Sequence, residues 1–404
     1  MKKAMLGVMA VILVALQQAN AARDRYVVPV GTPGVVSLSP HTSWATAATN
    51  AGLIAAALTS GDRIIFSNGV HVLTNVMNMT ANNIQYVGLT GNPDDVIISG
   101  GGTVRCCYIS SGTNQLVVSL TVSNGVASDA GGAGFMIYGA PDLTISNCVI
   151  TRNVSSGGPA GITVLNNSPR FRLIDCKVRE NVSSITATIK GVGLAYGITN
   201  TGSGGMVVSN CVFSGNTNNS AGALGSGVYI GVSPTVYFYN CVFSNNYANG
   251  STAGGGGGGY SESPVWLDNC TFVSNSTAKT GGGWVAIITN SVFTNKCVFR
   301  GNRASSYGGG LYLPAGGTVD GATFVENEGS YGGGVAIYGA ANGRVQVLNS
   351  VFSNNVAAAG GAVCVYPGAV GLVTLIRNCL IVSNNASGSG TTLGGAAFCL
   401  AIPA

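Results

Sequence analysis

Charge is what this sequence has least of. Asp, Glu, Lys and Arg make up 8% of its 404 residues, against roughly a quarter in an average soluble domain. The net charge of +5 is spread thinly, with no run of Lys or Arg to follow a phosphate backbone, so nucleic acid is not an expected partner. Histidine is nearly absent: His41 and His71 are the two present, and both precede the repeats described below. Eleven cysteines contain no C-x-x-C pair, which removes the usual spacing of a zinc site. Disorder is excluded from the other side, because 46% of the residues are hydrophobic and such a chain buries enough apolar surface to offset the entropy of ordering it.

Long apolar runs are also missing after the first one. Lys2 and Lys3, the apolar stretch from Ala4 to Leu16 and the small-residue site Ala19-Asn20-Ala21 together read as a signal peptide over residues 1–21. The stretch is short for a bilayer span, and no transmembrane segment is expected in the mature chain from Ala22. This places the protein as secreted or at the cell surface, at a bacterial outer membrane or outside the cell.

What the sequence does have is a period. A unit of Asn, a small residue, any residue, an apolar residue and, three positions on, a second Asn recurs. It runs from Asn147-Cys148-Val149-Ile150 to Asn153, from Asn210-Cys211-Val212-Phe213 to Asn216, from Asn240-Cys241-Val242-Phe243 to Asn246 and from Asn269-Cys270-Thr271-Phe272 to Asn275. It continues at Cys297 with Asn302, Ala322 with Asn327, Ser350 with Asn355 and Cys379 with Asn384; Asp175-Cys176 with Asn181 is a variant, and Leu120 begins a shortened copy. The anchors are 28, 28, 35, 30, 29, 27, 25, 28 and 29 residues apart.

Five and three positions before the anchor stand pairs such as Leu143 and Ile145, Val236 and Phe238, or Val265 and Leu267. Gly-rich turns followed by apolar alternation recur as Gly308-Gly309-Gly310-Leu311-Tyr312-Leu313 and Gly332-Gly333-Gly334-Val335-Ala336-Ile337. Period-two alternation means strands with one face inward. Helical repeats are excluded by the Gly-rich turns, propellers by the lack of hairpin signals, and leucine-rich repeats by the lack of their leucine signature. The fold class is therefore an all-β, single-stranded, right-handed parallel β-helix: a solenoid of about ten coils with three short strands each, on the order of 50 Å long at roughly 4.8 Å per coil.

In this stack identical residues form ladders. The Asn that ends each unit is expected to take a left-handed conformation and bond its amide to the next Asn, while Phe213, Phe243, Phe272, Phe299, Phe324 and Phe352 form an internal spine. The anchor cysteines point inward and stay reduced, since in-register Cβ vectors run parallel; Cys106 and Cys107, ahead of the repeats, are candidates for oxidation. Residues 22–114 read as an N-terminal cap with the first irregular coils, including a helix from about Trp44 to Leu58 capped by Ser43. Residues 115–404 read as the regular repeats, ending partway into a further coil without a lid, as a fragment or a chain covered by a partner would.

These residues resemble the pectin-lyase-like superfamily of right-handed β-helices. Within it, Phe213 to Asn216, Phe243 to Asn246 and their successors look like the F-x-x-N repeat of chlamydial polymorphic outer membrane proteins, and Gly360-Gly361-Ala362-Val363 is similar to their G-G-A-I motif. The likeness covers roughly residues 115 to 400. It implies an adhesin-like passenger rather than an enzyme, although the transporter barrel of that family is missing. The opening from Tyr26 to Val70 also resembles large exported β-helix proteins of environmental bacteria.

Two constellations stand out against this background. Polysaccharide lyases on the superfamily's fold use acid-bound calcium and a basic residue; here Asp175 would be the ligand and Arg172 or Arg179 the base. The plainer account of the charged patch puts Glu180 over Arg152, one 28-residue coil away, as a solvated ion pair. The second constellation lies four positions before the anchor, which faces outward and holds Tyr237, Trp266 and, with the extra residue Lys296 taken up in a turn, Phe293. Tyr239 and Asp268 sit beside this aromatic strip, and flat rings near an acid suit sugar faces and hydroxyls; aromatic neighbours also simply stabilise sheets. The reading is an exported, non-enzymatic, adhesin-like protein with a glycan or a host or matrix surface as partner and no cofactor. The alternative is a polysaccharide lyase or hydrolase, with Ca2+ under the lyase version only.

Overall fold

The computed structural model describes residues 23–39, 41–50, 58–165, 168–184, 188–197, 205–250, 254–338, 344–366, 373–388 and 395–400; residues 1–21, read as a signal peptide, lie outside them. The strands form four parallel sheets that run the length of one solenoid. Sheet A has 13 strands, from Asp24–Val27 to Val373–Arg377, and sheet B has 12, from Gly69–Val72 to Leu380–Val382. Sheet C has 12, from Met77–Asn78 to Phe398–Leu400, and sheet D has 10, from Val126–Ala127 to Asn385–Ala386. One coil runs through Val236–Tyr239 in A, Val242–Ser244 in B, Tyr247–Ala248 in D and Gly259–Ser261 in C, then enters A again at Val265–Asp268. Every pairing links neighbouring coils in register, as with Phe243 opposite Phe272. The coil thus has the three expected strands and a fourth, in sheet D, which in most coils has two residues, too few to show an alternation. Among the described residues no helix is long and apolar enough to cross a membrane.

Buried asparagines hold the corner between sheets B and D. The Asn246 side chain accepts from the Asn216 N–H at 3.1 Å and the Asn216 Nδ2 at 3.0 Å, while its own Nδ2 donates to the Phe213 carbonyl at 2.9 Å and to Asn275 Oδ1 at 2.9 Å. All four of its hydrogen-bonding positions are used. The same pattern runs from Asn153 to Asn384. The left-handed conformation is not on the ladder Asn but on the residue before it: Arg152, Glu180, Gly215, Asn245, Ser274, Gly301, Glu326 and Asn354 all have positive φ. The corner needs one reversal of the chain, and putting it one residue early leaves the Asn free to point inward. Asn210, Asn240, Asn269 and Asn349, just before the anchors, are left-handed as well and make a second, exposed amide ladder between sheets A and B.

The Phe spine stacks as expected. From Phe213 to Phe352 successive centroids lie 5.2, 4.8, 4.4, 4.7 and 4.8 Å apart with nearly parallel rings, adding roughly 0.5–1.5 kcal/mol per pair to the burial itself. The spine explains the third glycine of each Gly-rich turn: a Cβ on Gly334 would stand 2.9 Å from a ring carbon of Phe352 and 2.6 Å from the Ala362 carbonyl. The first glycine, such as Gly332 at φ +65°, supplies the left-handed bend. Beside the spine run Cys148, Cys176, Cys211, Cys241, Cys270 and Cys297, all free and buried. Each donates to main-chain carbonyls, Cys148 Sγ to Ser146 O at 3.1 Å. Cys106 and Cys107 are free and buried too.

The N-terminal end departs from the expected helix. Ser43 does cap a helix, its side chain accepting from the Thr46 N–H, but the helix is a single 3-10 turn, Trp44–Thr46, and Ala47 is already extended. Ala48 then bridges to Val27, so this segment adds backbone to the sheet edge instead of lying across it; residues 51–57 of the expected helix fall outside the described ones. The first strand is tied down by a buried ion pair, Arg25 Nε to Asp62 at 3.2 Å. Asp62 also accepts from the Thr59 N–H and hydroxyl, both at 3.0 Å.

Two outcomes follow. Asn275→Ala removes partners from Asn246 and Asn302 inside the wall, and a cost of about 2–5 kcal/mol is expected in denaturant unfolding; Asn240→Ala on the exposed ladder should cost under about 1 kcal/mol. Burial pushes the Cys297 thiol up to about 11 from 9.0. An unfolded thiol ionises first, so this contribution is complete below about pH 8.5 and is lost between there and pH 11, by about 1.4 kcal/mol per pH unit. Thermal midpoints should therefore fall more steeply above pH 9 in the parent protein than in Cys297→Ala.

Candidate functional site

The outer face of sheet A carries the aromatic strip. Val236 and Phe238 point into the core, as do Val265 and Leu267, so the residues between them face outward. Tyr237 stands directly opposite Trp266, and Tyr239 opposite Asp268. Tyr237 is 37% exposed, while Trp266, Tyr239 and Asp268 are half-buried. The rings of Tyr237 and Tyr239 are stacked, 6.3 Å apart. Burial, then Tyr237 and Asp268, push the Tyr239 phenol above its ordinary value, so it keeps its proton and can donate. Asp268 accepts from Asn295 Nδ2 at 2.7 Å, which fixes the carboxylate beside the rings.

Phe293 does not belong to this strip. Trp266 pairs with Val292, and Leu267 with Phe293, which is fully buried. The extra residue is indeed taken up in the turn, where Asn295 and Lys296 are both left-handed. That insertion shifts the outward position one residue toward the N-terminus, and with a period of two a shift of one exchanges faces. The platform is two coils wide, flanked by Val207 and Val292.

The charged residues do not converge in the same way. Arg172 lies on the outer face of sheet A and Arg179 on that of sheet B, while Asp175 occupies the turn between them. Asp175 replaces an asparagine in the exposed ladder and accepts from Asn210 Nδ2 at 2.9 Å. Arg170 holds Asp142 below the usual carboxylate range by a hydrogen bond of 2.6 Å. Glu180 pairs with Arg152 at 2.9 Å and Arg179 at 3.5 Å, the solvated inter-coil pair expected. Arg152 and Arg179 border a shallow hollow of about 270 Å³ with Asp94 and Thr151. Among the described residues no three His, Cys, Asp or Glu side chains gather as metal ligands. Both histidines are buried: His71 Nε2 is 2.8 Å from the Ser67 carbonyl, and burial lowers its pKa.

A second group of aromatic rings was hidden behind the Gly-rich turns, with Tyr229 and Tyr260 buried. On the outer side of sheet C, Tyr229 and Tyr260 stack at 6.1 Å, with Lys190 5.1 Å over the Tyr229 ring. Tyr307 packs against Tyr312, Tyr331 and Tyr338 at 5.1–5.6 Å. Their signal in the sequence is a Tyr directly before the Gly run, as Tyr307 and Tyr331, or one place off the inward positions after it, as Tyr229, Tyr260, Tyr312 and Tyr338. For the charged patch, Glu180→Gln should move the unfolding free energy by less than about 1 kcal/mol, because Arg152 is 69% and Glu180 44% exposed; denaturant titration of the two proteins checks this.

The coil geometry agrees with a comparison of the sequence. The family described as right-handed β-helix region matches residues 196–398, half of the chain and the part in which the buried Asn ladder, Phe spine and Gly-rich turns are all present. No curated protein matches at a significant level. With a family match over that span and coils that are parallel and in register from end to end, the chain belongs to the right-handed β-helix family.

Proposed function

We propose that this chain is an exported, non-enzymatic surface or matrix protein, adhesin-like in character, that binds glycans on the outer face of sheet A. The observation that carries this reading is the in-register pair Tyr237 and Trp266 with Asp268 and Tyr239 beside them. A sugar ring laid on the indole loses water from its apolar face, and the Asp268 carboxylate and Tyr239 phenol are placed to meet its hydroxyls. The sheet beneath is fixed by the core on its other side, so the platform does not need ordering on binding. Export is supported by the signal-like segment, and the adhesin character by the resemblance of the repeats. The lyase alternative needs Asp175 with Arg172 or Arg179 around one substrate, and these side chains leave from a turn and two different sheets.

The test is a panel of neutral and acidic polysaccharides, with and without calcium, read for binding and for product. Binding without turnover is expected, and Trp266→Ala should weaken it about 2- to 13-fold, the equivalent of 0.5–1.5 kcal/mol, with an unchanged thermal midpoint. A lower midpoint with unchanged binding would make the strip a sheet stabiliser only, and product formation abolished by Asp175→Ala would establish the enzyme. Tryptophan fluorescence gives a second readout. With Trp44 and Trp284 replaced by Phe, Trp266 should emit to the red and respond to the oligosaccharide that binds.

A further inference from the structure

We propose that the hollow on the outer face of sheet B is a second ligand site, built for a single neutral sugar residue and independent of the sheet A platform. Two in-register columns make its floor: Val70, Ile97, Thr121 and Val149 in one, Ser123, Thr151 and Arg179 in the other. Further along this face the outward residues are half-buried, as Val212, Ser214, Val242 and Ser244 are. Here Thr121, Ser123, Val149 and Thr151 are buried. The wall beside them is the turn Pro93–Asp95, and two successive coils pin it. Thr121 Oγ1 donates to the Pro93 carbonyl and Asn147 Nδ2 to the Gly91 carbonyl, both at 2.8 Å, so the hollow is formed before any ligand arrives.

Unspent hydrogen-bonding capacity marks the hollow as a site. Thr151 is 7% exposed, and its hydroxyl is buried without a partner; so is Nε of Arg179, the residue directly opposite. Buried polar groups in a finished wall are paired, as those of the ladder asparagines are. Asp94 and Asn124 add an acceptor and an amide to the rim. The formal charges cancel, Arg152 and Arg179 against Asp94 and Glu180, and Lys177 against Asp95 on the flanks. An anion therefore gains no net field, whereas sugar hydroxyls both donate and accept. Val70, 48% exposed, and Ile97 offer an apolar wall to the C–H face of the ring. At about 270 Å³ the hollow falls below the roughly 300–1,000 Å³ of sites for drug-sized ligands, which suits one sugar residue and not a chain. The Arg179 side chain is 42% exposed and meets Glu180 at 3.5 Å. A sugar that draws it off Glu180 uncovers both orphaned atoms and gives them partners.

The full chain is titrated with the methyl glycosides of glucose, galactose, mannose and N-acetylglucosamine, read by saturation-transfer NMR, with sodium sulfate as a competitor. At least one glycoside should bind, and sulfate should not displace it. Thr151→Val keeps the shape and removes the hydroxyl. It should weaken binding about 2- to 13-fold, the loss of one hydrogen bond, while the thermal midpoint stays level or rises, because that hydroxyl has no partner in the free protein. Asp94→Ala, on the exposed rim, should weaken binding as well, and Trp266→Ala should leave it unchanged. Four glycosides that receive no saturation, equal affinity in Thr151→Val, a lowered midpoint in that variant or displacement by sulfate would each overturn the proposal. So would loss of binding in Trp266→Ala, which assigns the sugar to the sheet A platform instead.

Discussion

Everything in this solenoid is referred to the buried asparagine at the corner between sheets B and D. A carboxamide is the side chain that both accepts twice and donates twice, and Asn246 uses all four positions on main-chain and side-chain atoms of the coils on either side. A serine in its place could donate once. An aspartate would bring a buried charge and no donor. The constraint this sets is visible in the spacing: the steps between anchors vary from 25 to 35 residues, yet the distance from each anchor to its ladder Asn is five at Cys148, Cys176, Cys211, Cys241, Cys270, Cys297, Ala322, Ser350 and Cys379. Insertions are admitted elsewhere in the coil because this corner has a side chain that must meet two main-chain and two side-chain atoms of the adjoining coils at once.

That fixed segment is why so much of the fold was legible. A residue in a ladder sees the same environment above and below, so the sequence repeats what the geometry requires, and Phe and Cys could be assigned to the inside, Asn to an amide ladder and the glycines to turns without coordinates. What failed was legible only in part. The left-handed residue was placed on the ladder Asn itself, whereas the chain turns at its predecessor, where Arg152, Glu180 and Asn245 share no side-chain chemistry and so leave no motif. Sheet D was missed because two residues, the length of its strands in most coils, carry no period. The Ala-rich stretch after Ser43 has helix propensity, but Ala48 donates to the Tyr26 carbonyl and accepts from the Val28 N–H, and pairing with the strand outweighs a propensity of a few tenths of a kcal/mol per residue.

The candidate site shows the opposite case. Outward residues have no neighbour that dictates them, so a single inserted residue is enough to invert an assignment. Lys296 did this to Phe293: the turn absorbed the insertion, and the ring went into the core. Tyr237 and Trp266 survived because no insertion separates their coils. The charged residues Arg172, Asp175 and Arg179 are close in sequence, but a chain that turns a corner between sheets A and B sends neighbours in sequence to different faces.

The width of the aromatic platform sets what kind of binding the proposed function can have. Two coils present one Tyr and one Trp, flanked by Val207 and Val292, so about two sugar rings can stack before the surface turns aliphatic. A stacking term of roughly 0.5–1.5 kcal/mol per ring is small beside the roughly 4 kcal/mol that separates a millimolar site from none. Under the proposed function, such a platform would hold a single oligosaccharide weakly. A polymeric glycan meeting many copies of the protein is different, because each further contact is made at high effective concentration and the weak terms multiply. Weak, sequence-tolerant contact on a rigid, thinly charged rod therefore suits retention at a surface covered with repeating sugars better than recognition of one soluble ligand. It also frees the remaining faces of the solenoid from any need to complete the site.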